Sequence, residues 1–285
     1  MKKNVHEQIE KAVIVFLLAY GLHYFAYFLR ARYYTWVGEL PISEGLAHVM
    51  LYLGHLYFVV AMLIYAWAVK KDRKYILGFL DNGLSKNIGF GLAGALLGFV
   101  LMGICILAGV ISGTLTVSHS TVDLGLFILA IFAVIIQVSA EEVESRGFVF
   151  GKMYEEGVPV IASLLVSSFF FSCLHVAKPG FSFHALLNIF LFGLLFALSY
   201  FYTRNICFPC GIHMMWNFTQ DFIFGMPNSG TPSALSLFST AAKDSPVFFD
   251  QTFGIEGSYM ATAVAIIGCV IIIAIGERYR RRQKN

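Results

Sequence analysis

The stretch Glu141-Glu142-Val143-Glu144-Ser145-Arg146 sets three carboxylates and a guanidinium in six consecutive positions of a chain that is 58% hydrophobic. An ionisable group at bilayer depth costs about 2.5 to 3.5 kcal/mol on insertion scales, so such a cluster persists only where it is paired, hydrated or used in chemistry. Two further pairs at helical spacing follow, Phe171 with His175 and His213 with Asn217. An acid, two imidazoles and a carboxamide meeting in a partly dry cavity could hydrolyse a peptide bond. Glu141 and His175 could share a water and deprotonate it as it attacks a carbonyl. His213 and Asn217 could then donate hydrogen bonds to the oxyanion.

Other nucleophilic schemes fit the sequence less well. It holds no G-x-S-x-G elbow and no H-E-x-x-H zinc motif. A metal alternative stays open, because Glu141, His175 and His213 could supply a His2Glu zinc shell with water as the fourth ligand. The C-x-x-C of Cys207 and Cys210 opens a hydrophobic helix with no second pair, and five scattered cysteines argue against a disulfide framework, so packing is the expected role.

Residues four apart share a helix face. Glu142 therefore pairs with Arg146, acid before base, while Glu141 shares a face with Ser145 and is left without a local counter-charge. Glu144 is expected to point away, toward headgroups or water. If the helices carrying Glu141 and His175 form an antiparallel hairpin turning at Gly157, Val158 and Pro159, the two groups lie 16 and 18 residues from Gly157. At about 1.5 Å per residue they are roughly 24 and 27 Å from the turn, almost level. This requires the first helix to continue through Lys152 to about Glu155.

The elements that must position these residues are membrane helices. A mean hydropathy of +0.73 and 13% charged residues over 285 positions exclude an ordinary soluble domain. The expected fold is all-α and polytopic, with about eight spans of roughly 20 residues. They are placed near 12 to 31, 48 to 69, 88 to 111, 124 to 142, 159 to 176, 183 to 202, 206 to 226 and 259 to 276. A single membrane domain, 1–285, then comprises scaffold helices in 1–111, a polar core in 124–226, an outer loop in 227–258, and a last helix with a basic tail in 259–285. In the first part, Gly94 and Gly98 form a close-packing G-x-x-x-G, and His23, His48 and His55 read as satisfied interior or interfacial groups and not as ligands. His184 and Asn188 repeat the H-x-x-x-N spacing and read as supporting polar groups or a decoy. Basic residues gather at Lys2, Lys3 and Lys11, at Lys70, Lys71, Arg73 and Lys74, and at Arg278, Arg280, Arg281, Arg282 and Lys284, which places both termini in the cytoplasm of a cell membrane. Arg30 and Arg32 are exceptions to that bias. The net charge of +3 gives no case for nucleic acid; the partners expected are the bilayer, whose anionic headgroups suit the basic tail, and a membrane-associated peptide or protein.

Glu141, Glu142 and Arg146 followed by Gly147, then Phe171 and His175, then His213 and Asn217, occur in an order that resembles the CPBP family of membrane proteases. That family is related to type II CAAX prenyl endopeptidases and to bacteriocin-processing or immunity proteins. The resemblance covers roughly Ala140 to Gly257, with Gly193, Thr203 and Pro209 in family-like positions. It implies an eight-helix fold around an intramembrane cavity open to the cytosol. It also implies a glutamate protease without an obligatory metal or other cofactor, in which Glu141 is the base working with His175. His213 and Asn217 would stabilise the oxyanion, and Glu142, Arg146 and Phe171 would support them. Some members of that family act as regulatory or protective partners, so a non-catalytic role is the alternative the resemblance leaves open.

Overall fold

The computed structural model describes residues 5–284; Lys2 and Lys3 lie outside the described residues, as do the side chains of Arg282 and Lys284. The fold is helical, and among the described residues six helices are long and apolar enough to cross a membrane: Val5–Glu39, Glu44–Ala68, Leu84–Ile111, Leu124–Glu155, Phe183–Thr203 and Tyr259–Arg278. The chain order is α1 (Val5–Glu39), α2 (Glu44–Leu53), α3 (Leu56–Ala68), a short α4 (Arg73–Leu77) and α5 (Leu84–Ile111). Then come α6 (Leu124–Glu142), a π-helical stretch Val143–Phe150, α7 (Gly151–Glu155), α8 (Val160–Cys173), α9 (Phe183–Thr203), α10 (Cys207–Phe218) with a π turn Thr219–Ile223, and α11 (Tyr259–Lys284).

Two of the eight expected spans are shorter than a crossing. Helix α8 has 14 residues, about 21 Å at 1.5 Å per residue, and α10 has 12 before its π turn. Pro159 opens α8, which ends at Cys173 and is followed by turns as far as Gly180, and Gly225 at φ +64° stops the segment after α10. The helix carrying the three glutamates does run unbroken from Leu124 to Glu155 and turns at Gly157, φ +90°, as the hairpin geometry requires.

Two strands depart from an all-α fold. β1 (Leu115–His119) pairs antiparallel with β2 (Phe238–Ala242), with Leu115 opposite Ala242 and His119 opposite Phe238. The pairing joins the loop after α5 to the loop before α11 and puts both on one face of the molecule. The basic stretches gather on the other face. There Lys11 donates to the Glu156 carbonyl at 3.4 Å, Lys74 pairs with Glu155, Arg204 lies over Tyr154, and Arg280 lies over Phe201. Arg30, an apparent exception to the charge bias, is 8% exposed and belongs to the interior.

Helices α5 and α10 touch backbone to backbone. A Cβ on Gly94 would stand 2.1 Å from the Phe208 carbonyl oxygen, and one on Gly98 would stand 2.1 Å from that of Ile212. Only glycine permits this approach. The G-x-x-x-G of α5 thus fixes the helix that carries His213 and Asn217.

Candidate active site

The site is built on a buried ion pair. Arg146 Nη1 donates to Glu142 Oε1 at 2.9 Å and Nη2 donates to the Gly193 carbonyl at 3.0 Å, with both charged side chains fully buried. The guanidinium carbon lies 4.4 Å from the Phe171 ring centre and 5.2 Å from that of Phe196. Charge, hydrogen bonds and ring faces together offset the desolvation that an isolated buried arginine would suffer. The expected pairing of Glu142 with Arg146 is present.

His213 joins this pair. Its Nδ1 donates to Glu142 Oε1 at 2.9 Å, and its ring stacks on Phe196 with centres 4.9 Å apart. His175 is held by analogous means: Nδ1 donates to the Phe171 carbonyl at 3.0 Å while the Phe171 ring lies 4.9 Å from the imidazole. An acceptor-only partner at each Nδ1 fixes the tautomer, so in the neutral form each Nε2 keeps its lone pair. Phe171 serves both histidines, since its ring also meets His213 edge-on at 5.5 Å.

Glu141 is held differently from its neighbour. Its Oε1 accepts from Gln137 Nε2 at 2.8 Å, and Gln137 Oε1 accepts in turn from Asn217 Nδ2 at 3.2 Å. His55 Nε2 stands 3.5 Å from Oε1 and His213 Nε2 stands 3.8 Å from Oε2. Among the described residues Oε2 has no hydrogen-bond partner, and the side chain is 13% exposed, toward a cavity. That cavity is also lined by His175, His213, Asn217 and Phe171, so five of the expected site residues meet in one space while Glu142 and Arg146 lie behind it. It offers about 80 Å³ in which the centre of a water can sit, room for several waters.

Ser145 does not join Glu141 there. It is fully buried and its carbonyl accepts from Ser167 on α8 at 2.7 Å. Glu144 does not point away as expected: it is 2% exposed, receives His23 Nδ1 at 3.0 Å, and lines the cavity. Three residues apart also means one side of a helix, and a partner waits on α1.

The first part of the chain is more than scaffold. His23, Arg30 and Tyr34 of α1, and Tyr52, His55 and Phe58 at the α2–α3 break, form one wall of the cavity. The three early histidines are satisfied groups as expected. His48 donates to Asp221 at 2.9 Å, and His55 accepts from Arg30 at 2.8 Å and donates from Nδ1 to the Tyr52 carbonyl at 2.9 Å. Gln137 was legible by the same rule as the motif residues, a polar group four positions before Glu141.

The outer loop closes the remaining side. Asn228, Ser229, Thr231 and Glu256 line the cavity, and Glu256 accepts from Trp216 Nε1 at 2.9 Å and Gln220 Nε2 at 2.7 Å. Burial raises the pKa of this carboxyl. These loop walls come from the strand-paired face, opposite the basic one.

His184 and Asn188 stand apart from the cavity. His184 bonds Thr262 Oγ1 at 3.0 Å, and Asn188 donates to the Glu256 and Ser258 carbonyls at 2.7 and 2.9 Å, so this second H-x-x-x-N secures α11 and the outer loop. Cys207 and Cys210 are free thiols. Among the described residues no three His, Cys, Asp or Glu side chains are arranged to hold a metal ion, the set of Glu141, His175 and His213 included.

Residues 123–219 match the family model described as type II CAAX prenyl endopeptidase Rce1-like. The matched stretch opens at Asp123, which caps α6, and closes one residue beyond α10, so it contains Glu141, Glu142, Arg146, Phe171, His175, His213 and Asn217. It starts and stops earlier along the chain than the resemblance drawn from the motifs. Neither the curated proteins nor the solved structures give a match.

Proposed function

We propose that this chain, whose residues 123–219 are similar to the Rce1-like endopeptidases, hydrolyses a peptide bond in a membrane-associated peptide or protein. The observation that carries the reading is Glu141: a carboxylate with one oxygen held by Gln137 and the other unpartnered, in a cavity with room for water and with His175 on its wall.

In the first step Glu141 Oε2 takes a proton from water while the water oxygen bonds to the scissile carbonyl carbon. His175 Nε2, left as an acceptor by the Nδ1 bond to Phe171, holds the second water hydrogen and so directs the attacking lone pair. The carbonyl π pair moves to oxygen. One amide hydrogen of Asn217 is spent on Gln137; the other donates to this oxyanion. His213 donates from Nε2 when its imidazole carries both protons, with Glu142 accepting at Nδ1. Collapse re-forms the carbonyl and breaks the C–N bond, and Glu141 returns its proton to the leaving amine. Glu142 and Arg146 position His213.

The enzyme would sit in the cell membrane with its basic face, and both termini, toward the cytoplasm. The reaction as written uses no metal or other cofactor. The test is incubation of the purified, reconstituted protein with quenched peptides, an S-prenylated one among them, beside Glu141→Gln and with or without a chelator. Cleavage lost in the variant and unaffected by chelator supports the glutamate scheme. Cleavage retained by Glu141→Gln overturns it.

A further inference from the structure

Two cations in the cavity lack an acidic partner. Arg30 is buried on α1 and shares one guanidinium nitrogen with His55 at 2.8 Å, while its Nε has no hydrogen-bond partner. Its other neighbours are ring faces, Phe58 at 4.8 Å and Tyr34 at 4.9 Å. Lys178, on the turn after α8, donates to Thr231 Oγ1 at 3.2 Å and makes no ion pair among the described residues. The other buried cations here are differently provided for. Arg146 has Glu142, and Lys152 has Asp72 at 2.7 Å and Glu156 at 2.8 Å.

The carboxylates of the cavity do not make good the difference. Glu144 is engaged by His23, and Glu256 is engaged by Trp216 and Gln220. Only Glu141 lies close enough to Lys178 for their charges to interact, and Arg30 is close enough as well. Glu141 is thus the carboxylate nearest these cations, and among the described residues neither of them has a carboxylate within ion-pair distance. A buried cation without such a partner is costly.

We propose that Arg30 and Lys178 form an anion subsite of the cavity that takes a carboxylate of the substrate, either its C-terminal carboxylate or an acidic side chain. Such a group supplies the two cations with the carboxylate partner that they lack. It also sets how far from that carboxylate the cut falls, because the anchor and Glu141 share one cavity. The identity of the bound molecule as a substrate rests on the endopeptidase reading; the subsite itself does not.

Binding is therefore measured apart from cleavage. Glu141→Gln protein is titrated against a fluorescein-labelled, S-prenylated tetrapeptide as the free acid, as the C-terminal amide, and as an amide with Asp at the penultimate position, read by anisotropy. The free acid should bind at least about tenfold more tightly than the plain amide, the range of a charge-assisted hydrogen bond. Adding Lys178→Met should remove most of that preference, whereas adding Arg30→Lys, which keeps the charge, should retain it. Recovery of affinity by the Asp amide would identify the source as an acidic side chain, and its failure the C-terminus. Equal binding of acid and amide, a preference unchanged by Lys178→Met, or binding of no form above the buffer control would overturn the subsite. Cleavage of the same peptides by the unaltered protein is scored separately, so loss of hydrolysis with intact acid preference would count against the protease reading alone.

Discussion

Glu142 holds His213 through a 2.9 Å hydrogen bond to Nδ1, while Glu141, the residue before it, leaves one carboxylate oxygen without a hydrogen-bond partner among the described residues. Adjacent carboxylates thus have separate duties, and their removal should fail in separate ways. Glu141→Gln should fold and insert normally and lose peptide hydrolysis by about 10²- to 10⁴-fold, the contribution of a positioned base. Glu142→Gln leaves the buried Arg146 uncompensated and should lower stability by about 3 to 5 kcal/mol. A melting curve in detergent beside an activity assay separates the two.

Replacing Gly98 should damage the site from outside it. Gly98→Ala sets a Cβ against the Ile212 backbone and pushes α10 off α5. The expected result is an overpacking cost of about 1 to 3 kcal/mol together with reduced activity, since His213 moves with its helix. Gly103→Ala on the same helix meets open space and is the control. Equal behaviour of the two variants would show that the close approach does not position the site.

Lys178 gives the cavity a pH response. Burial and the neighbouring Arg30 push its pKa down from 10.5 to about 8, against a smaller opposing pull from Glu141. Below about 8 the ammonium is charged in both folded and unfolded chains. Between about 8 and 10.5 the unfolded chain binds the extra proton, so the contribution of Lys178 to stability rises with pH through that window. Binding of an anionic peptide runs the other way and should weaken as pH rises through about 8. Lys178→Met should flatten both profiles, and a free-acid KM that does not change between pH 7 and 9 would refute the assignment.

The face that carries the loop walls can be located in intact cells. Ala234→Cys, on the outer loop, should react with a membrane-impermeant maleimide added from outside, whereas Lys71→Cys should react only after permeabilisation, each measured above the background of the native cysteines. Inverted labelling would reverse the membrane orientation and place the cavity's loop walls on the cytosolic side.

The motif residues were legible because a polar side chain in an apolar helix must find another, and periodicity shows which helix face it occupies. Glu142 with Arg146, and Glu141 and His175 in one space, followed from that alone. Glu144 with His23 did not, since those partners are 121 positions apart and nothing local couples them. The roles of Arg30 and His55 were hidden for the same reason: Arg30 counted only as an exception to the charge bias and His55 only as a satisfied group, and it is tertiary packing that sets both on the cavity wall. The lengths of α8 and α10 escaped because apolar residues continue past the last helical turn: α8 stops at Cys173 within the span expected to 176, and α10 gives way at Thr219 to a π turn within the span expected to 226. The strand pair escaped too, its two five-residue segments lying in loops far apart in the chain.

The π-helical stretch Val143–Phe150 begins directly after Glu142 and ends before Lys152, which reaches Asp72. Bonds from each residue to the fifth along accommodate more chain per turn than an α-helix does. Deleting one residue in this stretch would let it relax toward α geometry with the helix beyond it turned little, so that Lys152 keeps Asp72, whereas a deletion within α6 itself would turn everything beyond it by about 100°. The wide turn is therefore a place where the chain length of this helix can change without changing which side chains face the cavity: a one-residue deletion between Val143 and Phe150 is expected to leave Lys152 on Asp72, and one between Leu124 and Glu141 is expected to break the site.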